Sequence, residues 1–322
     1  MVWRQTAWLG VLLLTVVFHG SHAAGQSPQF APGVLTLIPP DPQYEETYSG
    51  PMELLEIVKG LPQLEWNPNY TAKSRTIFAR AKLVTLRRTI WNLEFAFKPL
   101  RMLEVDVPQP SGKMQRKRIW YMVYRVRYSG NDLQPDPVKD KFGHTMYGAK
   151  AVAHENRFFF PQLILESLDF SKSYQDRIIP AAKELIAKRE LRGQQLLNSV
   201  EISQTPIPLS TADVPNDVWG VATWEDVDPR IDFFSVLVKG LTNAYKPVNL
   251  PNSFKPGDPP GSGRQLLAKT LRLNFWRPGD TVHEHEEEIR FGVPVDADPA
   301  RQARILKKFG LKQRVDYLWV YR

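Results

Sequence analysis

Residues Ile119 to Tyr128 read IWYMVYRVRY, and this stretch decides the fold. Trp120, Met122, Tyr124, Val126 and Tyr128 fall at every second position, so in an extended chain they share one face. Ile119, Tyr121 and Val123 make the middle of the other face apolar too. A strand that is apolar on both sides must be covered on both, which places it inside a sheet. The run before it, Trp91 to Val107 (WNLEFAFKPLRMLEVDV), alternates in two parts: Leu93, Phe95 and Phe97, then Leu103, Val105 and Val107. Pro99 lies between them; it cannot donate to a ladder and marks a kink, bulge or edge. The polar loop PQPSGKMQRKR joins the two runs, which predicts a long antiparallel hairpin.

Further strands are predicted at Phe158 to Leu168, Leu197 to Ser203, Val218 to Trp224, Phe233 to Val238, Leu267 to Trp276 and Val315 to Tyr321. In LAKTLRLNFW, Leu271, Leu273 and Phe275 alternate with Thr270, Arg272 and Asn274, giving one buried and one wet face. Helices are predicted at Met52–Val58, Thr71–Leu83, Pro180–Leu191 and Asp298–Phe309. The last has Asp298 as its cap, Pro299 in the first turn, Lys307 and Lys308 at the negative end and Gly310 as its stop. Its Ile305, Leu306 and Phe309 face should dock on a sheet. Many strands, few helices and no βαβ alternation make the class mainly β: an antiparallel, Ig-like β-sandwich with a few short helices. Residues 24–84 read as an extended, partly helical segment. Residues 85–322 read as the sandwich region, either one large sandwich or two in tandem with a boundary near 205–217.

The first 23 residues read as a secretory signal. Arg4 gives the positive start, Ala7 to Phe18 is an uncharged apolar run of twelve, and Ser21-His22-Ala23 supplies small residues for cleavage after Ala23. A bilayer span needs about 20 apolar residues, so this run is too short for one, and no later segment is long and apolar enough. The mature product is expected in the periplasm or secreted, with no transmembrane segment after cleavage. The 322 residues contain no cysteine, so no disulfide supports the fold, and thiol catalysis, Cys-zinc sites and iron–sulfur clusters are excluded. The net charge of +8 is mild for this length. Its densest cluster, Lys113, Arg116, Lys117 and Arg118, reads as a solvated hairpin tip rather than a nucleic-acid contact.

Several runs are familiar: IWNLEFAFKPLRMLEVDVPQPSGKMQRKRIWYMVYRVRYSG, YQDRIIPAAKELIAKRE, VWGVATWEDVDPRIDFFSVLVKGLTNAYK, KTLRLNFWRPGD and DYLWVYR. Over most of Ile90 to Arg322 the chain resembles a group of uncharacterised exported proteins of planctomycete-type bacteria. The resemblance implies export and a β-sandwich-like fold. It carries no activity and no catalytic residue.

Chemistry-bearing motifs are sparse. In His283-Glu284-His285-Glu286-Glu287-Glu288, a strand would bring His283, His285 and Glu287 to one side, a sensible donor set for a divalent metal. A further ligand would have to come from elsewhere, and the alternative is an exposed edge or loop bearing solvated charge. Asp226, Asp228 and Asp232 lack the EF-hand pattern and read as a turn stiffened by Pro229. Glu225 and Asp226 are adjacent, so on a strand they would point to opposite faces. There is no G-x-S-x-G elbow in a strand–turn–helix setting, no G-x-G-x-x-G fingerprint and no phosphate loop. No cofactor is expected. Outside the signal the histidines are His144, His154, His283 and His285, the four from which any histidine base would come. Trp120, Trp219, Trp224, Trp276 and Trp319 fall on predicted strands as core or rim residues, and outward-facing aromatics would form a stacking platform for sugars. The reading is a non-enzymatic extracytoplasmic structural or binding protein, with envelope protein or polysaccharide as partner. The alternatives are a metal-binding protein or metal-dependent hydrolase, and a carbohydrate-binding module.

Overall fold

The central strand is Met114–Arg127, and both of its faces are buried as the sequence requires. On one side it pairs antiparallel with Glu94–Phe97 and Arg101–Pro108, and on the other with Val218–Trp224. Thr36–Ile38 and Leu196–Leu197 complete a six-stranded sheet, the latter as a parallel pair. A second sheet of seven strands is built on Arg264–Trp276, which pairs with Phe233–Lys239 and Tyr245–Asn249 and with Arg290–Phe291 and Tyr317–Tyr321. Gln162–Ser167 and Ser173–Gln175 extend it. The structure, a computed structural model, describes residues 35–58, 72–191, 193–250, 254–255, 257–259, 261–278 and 288–322. The expected leader, residues 1–23, lies outside them. Pro32–Arg322 forms one compact unit.

Trp120, Met122, Tyr124, Val126 and Tyr128 join Leu163, Leu165, Phe234, Val236, Leu271, Leu273 and Phe275 in one apolar cluster, so residues from both sheets share a core. Aromatic rings knit it: Trp120 meets Phe234 edge-on at 5.4 Å, Phe97 meets Phe275 at 5.9 Å, and Phe234 stacks on Phe275 at 5.4 Å. The other face of the central strand, Ile119, Tyr121 and Val123, packs with Ile179, Ala182 and Ile186 at the helix Pro180–Glu190. Glu190, at the end of that helix, is buried with Tyr121 OH at 2.8 Å and Arg101 at 2.9 Å.

Three expectations are corrected. Of Leu197 to Ser203 only Leu197 lies in a strand: Asn198 accepts hydrogen bonds from the amides of Val200 and Glu201, and the Glu201 carboxylate takes Asn198 N–H in return. That capping box starts a short helix, Ser199–Ser203. The face of Arg264–Trp276 expected to be wet is covered: Thr270 and Asn274 are buried, Arg272 donates to Ser235 Oγ and Phe309 O, and Asn274 donates to Val315 O. The helix Pro299–Phe309, with Asp298 and Gly310 as its caps, and the segment after it supply that cover, and Phe309 meets Phe233 edge-on. Glu225 and Asp226 do not diverge. The strand ends at Trp224, Asp226 turns left-handed, and both carboxylates reach Lys117, at 3.1 and 3.0 Å. An unexpected hairpin, Asp132–Lys139 with Thr145–Val152, lies mostly exposed. The segment read as extended also contributes strands, Thr36–Ile38 to the first sheet and Tyr48–Met52 paired with Val84–Arg87.

Gly220 lies opposite Tyr124, and a Cβ there would sit 2.3 Å from the ring. Gly220→Ala is therefore expected to cost about 1–3 kcal/mol through overpacking, read as a lowered urea midpoint with an unchanged slope.

Candidate functional site: an aromatic cleft at the end of the core

Along Arg264–Trp276, Lys269 shares its face with Leu271, Leu273 and Phe275, so its position puts a cation on the core side of the sheet. It is only 3% exposed. Its counter-ion comes from the far end of the sequence. The short turn Tyr44–Thr47 sends Glu46 inward, and Glu46 Oε1 lies 2.6 Å from Lys269 Nζ. Tyr321 OH donates to the same oxygen at 2.5 Å, and Gln43 N–H donates to the other at 3.0 Å. Lys269 also donates to Asp41 O. Burial, and then the Glu46 carboxylate, push the Tyr321 hydroxyl above its ordinary pKa, so it remains a donor. Every charge taken out of water here has a partner at hydrogen-bonding distance, which is the condition for tolerating it.

This knot forms the floor of a cleft of about 730 Å³ between the Asp41–Met52 segment and the strands Tyr245–Asn249 and Tyr317–Tyr321. Tyr48, Tyr245, Trp319 and Tyr321 line it with rings, and Asp41, Gln43, Glu45 and Asn249 bring polar groups. Arg88 backs Tyr245, its guanidinium 3.8 Å from the ring centre and bonded to Ser49 Oγ and Tyr245 O at 2.7 Å. Lys246 lies 4.1 Å from the Tyr321 ring centre. Gly50, with φ of +121°, lets the Tyr48–Met52 strand approach its neighbour, because a Cβ there would meet Val84 O at 2.3 Å. The cleft offers flat apolar surfaces edged by hydrogen-bonding groups. Its Ser49 is buried and bonded to Arg88.

Two further polar clusters lie elsewhere. Asp132, fully buried, gathers Tyr128 OH at 2.8 Å, His154 Nδ1 at 3.1 Å and the Arg157 guanidinium, and so fastens the base of the exposed hairpin. Asp176 accepts from Thr223 N–H at 2.8 Å and from Ser199 Oγ, and desolvation raises its pKa above the ordinary aspartate value. Sequence spacing reveals neither cluster, because apart from Tyr128 the partners lie 22 to 47 positions away along the chain.

His283, His285 and Glu287 lie outside the described residues. Among the described residues no group of three or more metal-type ligands occurs. Asp228 is engaged by Arg230 at 2.9 Å and Lys172 at 3.3 Å, in agreement with a turn. The basic run is likewise engaged at the hairpin tip, Arg116 with Glu104 at 2.8 Å and Lys117 with Glu225. Trp120 and Trp224 are buried, whereas Trp219, Trp276 and Trp319 are partly exposed. No described helix is long and apolar enough to cross a membrane. Comparison with family models, with curated proteins and with solved structures gives no match for this chain.

Removing one partner of the buried pair, as in Lys269→Met or Glu46→Gln, is expected to cost about 3–5 kcal/mol in urea unfolding. The double variant Lys269→Met/Glu46→Leu should recover much of that loss, since no charge is left unpaired. For Asp176, whose folded-state pKa is raised, the native chain holds its proton more tightly than the unfolded chain. The resulting stability is fully present below the ordinary aspartate pKa and is lost as pH rises through the raised value. The stability of the wild type relative to Asp176→Asn should therefore fall as pH increases across that window, measured by urea midpoints at each pH.

Proposed function

We propose that this chain is an exported, non-enzymatic binding protein with an Ig-like β-sandwich fold, whose cleft beside Trp319 takes a segment of extracytoplasmic polysaccharide. The observation that carries this reading is the convergence of Tyr48, Tyr245, Trp319 and Tyr321 with Asp41, Gln43, Glu45 and Asn249 in one opening. A pyranose ring has an apolar C–H face and a rim of hydroxyls. Aromatic rings suit the first, and carboxylate and amide oxygens and N–H groups suit the second. The buried pair beneath supports the binding role by fixing the two walls before a ligand arrives, which lowers the ordering cost of association. Export is supported by the Arg4 to Ala23 pattern and fits a polysaccharide partner outside the cytoplasm. The shared core of the two sheets supports the sandwich assignment.

A panel of purified glycans titrated against the mature protein should yield a ligand whose affinity falls at least tenfold, about 1.4 kcal/mol, in Tyr48→Ala/Tyr245→Ala. A panel without any ligand would overturn the proposal. So would turnover of glycoside, ester or phosphate substrates that a point substitution abolishes. Export is checked by the amino terminus of the expressed protein, expected at Ala24; a cytosolic product that keeps its leader would refute it.

A further inference from the structure

Natural sheets blunt their exposed edges with charge, proline or brevity. Among the described edge strands, Tyr245–Asn249 carries Lys246 and Pro247, Arg101–Pro108 carries Glu104, Asp106 and Pro108, and Thr36–Ile38 and Ser173–Gln175 are three residues long. Tyr317–Tyr321 reads YLWVY, with no charge or proline, and pairs only with Arg264–Trp276. Its hydrogen-bonding phase is fixed by two observations. Arg322 and Ala268 exchange both backbone bonds, at 3.0 and 3.2 Å, and Asn274 N–H donates to Asp316 O at 3.0 Å. In an antiparallel ladder these pairs alternate, so Asp316, Leu318, Val320 and Arg322 face the neighbouring strand. The N–H and C=O groups of Tyr317, Trp319 and Tyr321 point the other way, and no described residue bonds to them.

Beside this edge runs a groove of about 540 Å³ between Pro39–Asp41 and Val315–Trp319. Pro39 and Pro40 have no N–H, so these two residues of the wall cannot donate to the carbonyls of the edge. The groove has no lysine or arginine in its lining and two carboxylates, Asp41 and Asp316. Asp41 is half exposed and lies 3.8 Å from Lys269, a cation already matched by Glu46 at 2.6 Å; Asp316 is held by Arg314 at 3.2 Å.

We infer that Tyr317–Tyr321 is a strand-addition site for an extended peptide of a partner protein, with apolar residues at alternate positions and a basic residue beside Asp41. Alternating backbone donors and acceptors over five residues, about 17 Å at 3.4 Å per residue, match an extended polypeptide. The carboxylates of the groove, with no lysine or arginine in its lining, favour a basic peptide over a second copy, whose matching edge would bring the same carboxylates. This inference does not rest on the polysaccharide reading, and either can fail alone.

The wild-type chain and Tyr317→Lys are panned against a phage-displayed library of random dodecapeptides. Enrichment of alternating apolar peptides with a lysine or arginine, binding Tyr317→Lys at least tenfold more weakly, is the expected result. No enrichment, or equal binding to both proteins, would overturn the inference. So would a wild-type dimer that becomes monomeric in Tyr317→Lys, since the edge would then serve a second copy. Hydrogen exchange on the wild type gives a reading free of any folding defect in the variant. Amides of Tyr317, Trp319 and Tyr321 should exchange rapidly and become protected by a selected peptide, while Leu318 and Val320 stay slow throughout. Slow exchange of the first three in the free protein would show the edge already filled and defeat the proposal.

Discussion

The fold depends on a strand that cannot leave either face in water. Trp120, Met122, Tyr124 and Val126 need one covering layer, and Ile119, Tyr121 and Val123 need another. The second sheet supplies the first cover, and the helix Pro180–Glu190 helps supply the second. At roughly 25 cal/mol for each Å² of apolar surface removed from water, this double burial outweighs any single polar contact in the protein. With no cysteine, nothing covalent between side chains shares that task.

Much of this was legible. Period-two alternation located the strands around Ile119–Tyr128 and Leu267–Trp276, and Asp298, Pro299 and Gly310 bounded the last long helix. The failures have separate causes. At Asn198 a capping box with Glu201 outweighed the apolar content of the segment it begins. At Thr270, Arg272 and Asn274 the polar pattern was real, but water was displaced by a helix packed from elsewhere in the sequence. Pro135 and Pro137 concealed the Asp132–Val152 hairpin, since proline in a run argues against a strand unless the run is at an edge.

The cleft was legible only in its parts. Trp319 was one of five strand tryptophans read as core or rim residues, and nothing in the sequence joins it to Tyr48 or places Glu46 against Lys269. Lys269 occupies an apolar phase of its strand, a local violation of the buried pattern. Such violations tend to mark functional or strained places, because the partner that makes them tolerable has to be kept as well. Here the partner also brings the cleft wall with it.

The Glu46–Tyr321 bond joins residues 275 positions apart, and Lys269 reaches 228 positions back to Asp41. Contacts so distant along the chain raise its contact order, and chains rich in them condense slowly because long loops must close before the contacts reward closure. The segment from Asp41 to Met52 should then be among the last parts to settle. Until it does, Lys269 has no counter-ion and the aromatic rings around it have no opposite wall, so the cleft comes into being only as folding ends.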